Sequence, residues 1–164
     1  MGGDLVTSII SKVPAALDYL VATFTAAGTL GQATPPVTVY DGPKATDEAA
    51  NLILWVGLDD PDSDSAPLAA ASERSWAGLG GQAELITIAC AAEAWSGEDG
   101  ISAMRAAVYG IVAAAETLVR ADATHFGGNG LTADPGVTAS ELRQNDTDRG
   151  AQARVVFQII LRAL

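Results

Sequence analysis

Residues 82–119, QAELITIACAAEAWSGEDGISAMRAAVYGIVAAAETLV, decide how this chain is read. As far as Trp95 and Ser96 the pattern alternates, and Ile86, Ile88, Cys90, Ala92 and Ala94 fall on one face of a long strand, because successive strand side chains point to opposite sides. From Ile101 the spacing changes to three and four, so that Ile101, Met104, Val108, Ile111, Ala115 and Leu118 line one side of a helix. A long strand thus runs straight into a long helix, and residues 151–164 supply a second long strand. This order implies an α+β fold: a mixed or antiparallel sheet of about five strands packed with two main helices, and a terminal β-hairpin.

Upstream, Val13, Leu17, Leu20, Val21 and Phe24 share a helical face between Ser11 and Ala27, with Pro14 in the first turn and Gly28 just past the end. VTVY at Val37 to Tyr40 is a short β run stopped by Asp41, Gly42 and Pro43, and a second strand follows at Asn51 to Gly57. Leu58 to Gly81 is rich in Asp, Ser, Ala and Gly and reads as an extended, flexible loop. Downstream, HFGGNGLTADPG from His125 to Gly136 is dense in turn formers. ASELRQ and ARVVFQIILRAL then pair as a hairpin across NDTDRG. In the last strand Val155, Phe157, Ile159 and Leu161 alternate with Val156, Gln158, Ile160 and Arg162. Both faces are largely apolar, which implies burial on both sides by a helix and a loop or by another subunit.

A chain of 164 residues fits one domain, 1–164, and buries a core without disulfides or a structural metal. Aromatics are only 5% of it, so Ala, Val, Ile and Leu must fill that core, with Phe24, Trp55, Trp95, Tyr109 and Phe157 as bulky members. The one cysteine, Cys90, reads as a small buried hydrophobe. A formal net charge of -11 and arginines scattered along the chain argue against direct binding of nucleic acid. The N-terminus has no basic n-region, Asp4, Lys12 and Asp18 interrupt its apolar stretches, and Val6 stands where a myristoylation signal needs Ser or Thr. A soluble protein without a membrane partner is expected.

Each chemical motif fails on a stated requirement. Asp60, Asp62 and Asp64 have the alternate spacing of a calcium loop, but Ser65 holds the glycine place, Ala71 the twelfth, and Pro61 intrudes. Gly127, Gly128 and Gly130 follow a helix where a phosphate loop follows a strand, and no Lys with Ser or Thr comes after them. His125 is the only histidine, too few for a recognisable zinc set, and no Gly-x-Ser-x-Gly elbow offers it a nucleophile. Glu84 and Glu93 lie an odd number of residues apart on one strand, hence on opposite faces. The expectation is no enzyme, no cofactor and no metal.

The amphipathic first helix, VTVYDGP, LILWVG, the long strand ending in Trp95 and Ser96 before a helix, and the closing RVVFQIILRAL together resemble the tail terminator, or tail completion, proteins of long-tailed phages and gene-transfer particles. The resemblance covers most of the chain. It implies a virion protein, made in the host cytoplasm and located at the tail-neck junction, that forms a homohexameric ring, ends the tail tube and meets the head-neck connector or stopper. Its partners would be the major tail tube protein and that neck component, with genomic DNA passing through the ring unbound, past an acidic wall. The alternatives are another head-tail connector or stopper component, or a small-ligand binding or enzymatic α+β domain with a pocket under the helix Ile101 to Val119. The residues expected at interfaces are Asp59, Asp60, Asp62, Asp64 and Trp76 from the long loop, with Trp76 as apolar anchor. Arg154, Phe157 and Arg162 of the last strand join them, the arginines as candidates for salt bridges to a neighbour's Glu141 or Asp146.

Overall fold

The computed structural model of the chain describes residues 11–26, 30–32, 35–43, 51–61, 66–76, 78, 81–122 and 130–163. Two helices, α1 (Val13–Thr25) and α2 (Ile101–Ala121), lie with a single 3-10 turn (Leu30–Gln32) and six strands: β1 (Thr38–Asp41), β2 (Leu52–Val56), β3 (Ala70–Trp76), β4 (Gln82–Ser96), β5 (Leu131–Thr147) and β6 (Gly150–Ala163). The fold is α+β. The strands make one mixed sheet in the order β1-β2-β4-β6-β5, with β3 also on β4. Among the described strands only β1 and β2 are parallel.

The centre of the sheet is β4, whose 15 residues extend about 50 Å at strand rise. One edge pairs with β6 from Glu84 to Ser96. The other is shared end to end by β2, opposite Cys90 to Ala94, and β3, opposite Gln82 to Ile88. Between them only Ala89 is left. Its carbonyl accepts the N–H groups of Gly57 (2.8 Å) and Leu58 (3.1 Å), and its own N–H donates to the Ala69 carbonyl (3.1 Å). β2 and β3 are therefore two halves of one strand line, interrupted by an excursion that leaves after Leu58 and returns at Ala69. Gly57 makes the exit with φ +78°, a left-handed value that costs a residue with a side chain.

Both helices cover the same face. Ala16, Leu20 and Phe24 of α1, and Met104, Val108, Ile111, Val112, Ala115 and Val119 of α2, bury against Leu54, Val56, Ile86, Ile88, Cys90, Val155, Phe157, Ile159 and Leu161. By length and composition α2 could cross a membrane, but its buried stripe belongs to this core. Burial raises the Cys90 thiol to about 12, only partly offset by the Gly57 N–H, so it stays protonated as an apolar filler.

Three expectations are corrected. The stretch 58–81 is not one loop, because β3 lies inside it; AASERSW lacks an apolar alternation since six of its seven residues are exposed. β5 begins at Leu131, inside the run of turn formers, and absorbs the misfit by register shifts between Ala133 and Gly136 and between Thr138 and Ser140. β6 is an interior strand whose two faces differ: the helix side is buried throughout, while on the other face Arg154 is buried, Val156 and Ile160 are half-buried, and Gln158 and Arg162 are exposed. The hairpin itself, turning between Thr147 and Gly150, is as expected.

The start of α1 is held from across the sheet. Glu84, 6% exposed on the helix side of β4, accepts the Ser11 hydroxyl (2.5 Å) and the Lys12 backbone N–H (2.9 Å), with the Arg74 guanidinium of β3 at 3.8 Å. A carboxylate at a helix N-terminus satisfies N–H groups that have no partner within the helix and opposes its dipole. Burial pushes Glu84 upward, but the Lys12 N–H, the Ser11 and Ser72 hydroxyls and Arg74 outweigh it and hold the carboxyl below its ordinary value.

Glu84→Gln is expected to cost about 1–3 kcal/mol near neutral pH, since the bonds run to a charged acceptor. Because the folded pKa is depressed, this margin is present above the ordinary carboxylate range and is lost as pH falls through the lowered value. Urea denaturation from about pH 7 down to about pH 3 should show the variant and the parent converging at the acid end. Gly150 gives a second test: at φ +131° any Cβ would fall on the Ser96 carbonyl oxygen. Gly150→Ala should lower stability by about 2 kcal/mol or more, read as a loss in Tm.

Candidate interaction surface

The face of the sheet away from the helices carries a second, smaller cluster of Tyr40, Ile53, Trp55, Leu58 and Ala91, with Val156 against it. Tyr40, Trp55, Ala91 and Val156 come from four neighbouring strands in one register row, and the Tyr40 and Trp55 rings tilt at 37° with centroids 6.2 Å apart. Leu58, the last residue before the excursion, packs with this row and is 2% exposed.

The next row on that face is charged. Ile53, Glu93, Arg154 and Arg143 stand side by side on β2, β4, β6 and β5. Arg154 donates through Nε (2.9 Å) and Nη2 (2.5 Å) to Oε2 of Glu93, and its Nη1 is 3.9 Å from Oδ1 of Asp60. Oδ2 of Asp60 is 3.5 Å from Nη1 of Arg143, whose Nε reaches Oε1 of Glu141 at 3.2 Å. Charges alternate from Glu93 through Arg154, Asp60 and Arg143 to Glu141, and side-chain exposure rises from 8% at Arg154 to 68% at Glu141. The inner pair is shielded from water and strongly coupled, whereas the outer pair is screened.

These contacts redistribute the residues expected at interfaces. Arg154 is committed within the chain to Glu93 and Asp60 and is not a donor to a neighbour's Glu141 or Asp146, because β6 is interior and Arg154 is 7% exposed. Phe157 points to the helix side, is fully buried, and is a core residue rather than an interface one. Arg162 stays exposed on the outer face. Asp59 closes the neck of the excursion by accepting the Leu68 N–H at 2.9 Å, and Asp60 ties it to the sheet. Asp62 and Asp64 lie outside the described residues, as do His125, Gly127 and Gly128. Glu93 and Asp60 could not be matched to Arg154 from sequence, since only the strand order brings them together.

Trp76 is the most accessible large apolar side chain among the described residues, 75% exposed at the end of β3, and Leu68, 52% exposed, precedes the same strand. Among the described residues the strand between them pairs with β4 alone, so its outer edge offers unpaired backbone groups. A groove of about 410 Å³ opens elsewhere, at the N-terminal end of α2, among Pro35, Pro36, Leu52, Trp95, Asp99 and Met104. It lies beside the helix start, not beneath the helix. Two of its polar side chains are engaged with each other: the Ser96 hydroxyl accepts the N–H groups of Glu98 (3.2 Å) and Asp99 (3.0 Å) and donates to the Asp99 carboxylate (3.1 Å).

No protein-family model matches the chain, and no curated protein matches it. The surface must be read from its own geometry.

Arg154→Ala should cost about 2–3 kcal/mol in chemical denaturation, because Glu93, whose side chain is 14% exposed, would lose its charged partner. The double variant Glu93→Leu with Arg154→Met removes both charges and should recover most of that loss.

Proposed function

We propose that this chain is a structural subunit that joins copies of itself head to tail in a ring, and that the ring is a tail terminator: it ends a phage tail tube and meets the head-neck connector. The observation that carries the reading is the direction of the sheet's edges. From β3 through β4 and β6 to β5 every neighbour is antiparallel, so the two outer strands run in opposite directions while both helices stay on one face. Repeating such a unit side by side brings opposite edges together as an antiparallel pair without turning the helix layer over. A head-to-tail contact of this kind closes as a ring when each step adds a rotation.

The acidity agrees with a ring that lets DNA pass. With a net charge of -11 the wall repels the phosphate backbone, which threads without being held. Six copies, the tube and neck partners and a place in the virion follow from the family resemblance. In this reading the chain has no catalytic task, and Trp76 with the excursion faces a partner.

Negative-stain electron microscopy and mass photometry of the purified protein should show closed rings of six. Adding it to polymerising tube protein should stop growth. A protein that stays monomeric at every concentration and leaves tube length unchanged would rule the proposal out.

A further inference from the structure

We infer that the contact between copies is a specific strand pair, in which β3 of one subunit pairs antiparallel with residues 140–146 of β5 in the next, with Glu73 opposite Arg143. For ring closure this rests on the function proposed above; the contact itself is argued from the two edges.

The edges differ in how they are protected. β1 is four residues long, and the first part of β5 is broken by two register shifts, both features that discourage pairing. β3 has seven residues with no irregularity in its pairing to β4, no proline and no lysine. Large exposed apolar side chains bracket it, Leu68 before and Trp76 at the end. On β5 the register is unbroken only from Ser140 to Thr147.

The side of the sheet where β3 lies is notched. Next to β3, β1 adds a further strand outside β2, and the excursion leaves between them, so a neighbour is admitted only along β3. Glu73 shares its row with Thr132 of its own chain, through Leu85 and Arg162. Pairing it with Arg143 of another copy slides that copy along β6 from Arg162 to Arg154, about 26 Å at strand rise. The neighbour's hairpin turn, Asp148 and Arg149, then lies opposite Leu68 and Pro67, the last residues of the excursion before β3. A closing sheet takes up such a stagger as strand tilt.

Charge selects the register. Opposed residues of an antiparallel pair share a face, so allowed registers differ by two residues. Glu73 and Arg143 both point away from the helices, Glu73 through its row with Leu85 and Arg143 through its row with Arg154. Their pairing sets Ser72 opposite Gln144, Ala71 opposite Asn145 and Ser75 opposite Glu141. Moving two residues one way puts Glu73 against Glu141, like against like; moving two the other way leaves it facing Asn145.

Paired cysteines test this on the full chain. Ser72→Cys with Gln144→Cys places two thiols on the helix side of opposed strands, within disulfide reach between copies. Within one copy those positions are separated by three strand spacings across the sheet, about 14 Å, and by eight residues along it, about 26 Å, too far to bridge. Cys90 is fully buried with its thiol protonated and stays silent. Mild oxidation should give a ladder of linked copies on a non-reducing gel, whereas Ser75→Cys with Gln144→Cys, on opposite faces, should not. Glu73→Arg and Arg143→Glu should each weaken association about two- to fivefold, and together restore it. Rings in which the Ser72→Cys, Gln144→Cys pair stays unlinked would overturn this contact while leaving the ring intact. The same disulfide formed in open chains that never close would uphold the contact and defeat the ring. Monomers with neither would end both.

Discussion

The pairing of β4 along both of its edges is the constraint on which the rest of this structure depends. A strand of this length must satisfy N–H and C=O groups on two sides, and no single neighbour covers one of them: β2 and β3 divide it, with Ala89 bonding to both ends of the break. That division creates the excursion, and through it the chance for Leu58 and Asp60 to reach the outer face. The other edge requires a partner as long as β6, which moves β6 to the interior and leaves β5 as the outer strand.

Polar groups then fasten what apolar burial alone leaves loose. Hydrophobic contact is non-directional and lets α1 slide along the sheet. Glu84 removes that freedom by accepting one hydroxyl and one backbone N–H at the helix start. At the far end of the helix layer the Tyr19 hydroxyl donates to Asp122 at 2.6 Å; burial and then that carboxylate raise its pKa, so the bond persists through neutral pH. On the outer face Arg154 acts in the same way, since a guanidinium with most of its surface removed from water accepts few geometries other than those that meet Glu93 and Asp60.

The outer strands are where the proposed assembly would act. A protein that pairs every strand internally presents only side chains, whereas the described residues of this one present two long edges of opposite direction. One is irregular over its first part; the other is regular and flanked by Leu68 and Trp76, and both carry charged side chains.

By itself the sequence determined the elements that bury a face. Ile86, Ile88 and Cys90 on β4, the helical spacing of α2 and α1, and the hairpin around Asp148 were legible because burial imposes a period of two or of three to four on residues close in sequence. It left β3 illegible, since a strand exposed on both faces is under no such pressure, and it placed Phe157 and Arg154 at an interface because a strand apolar on both sides looks alike whether it lies inside or at an edge. Only the tertiary structure decided that β6 is interior, that Arg154 meets Glu93 and Asp60, and that among the described strands β3 and β5 are the long outer ones. Strand order depends on which distant segments share backbone hydrogen bonds, and those bonds use groups that every residue carries.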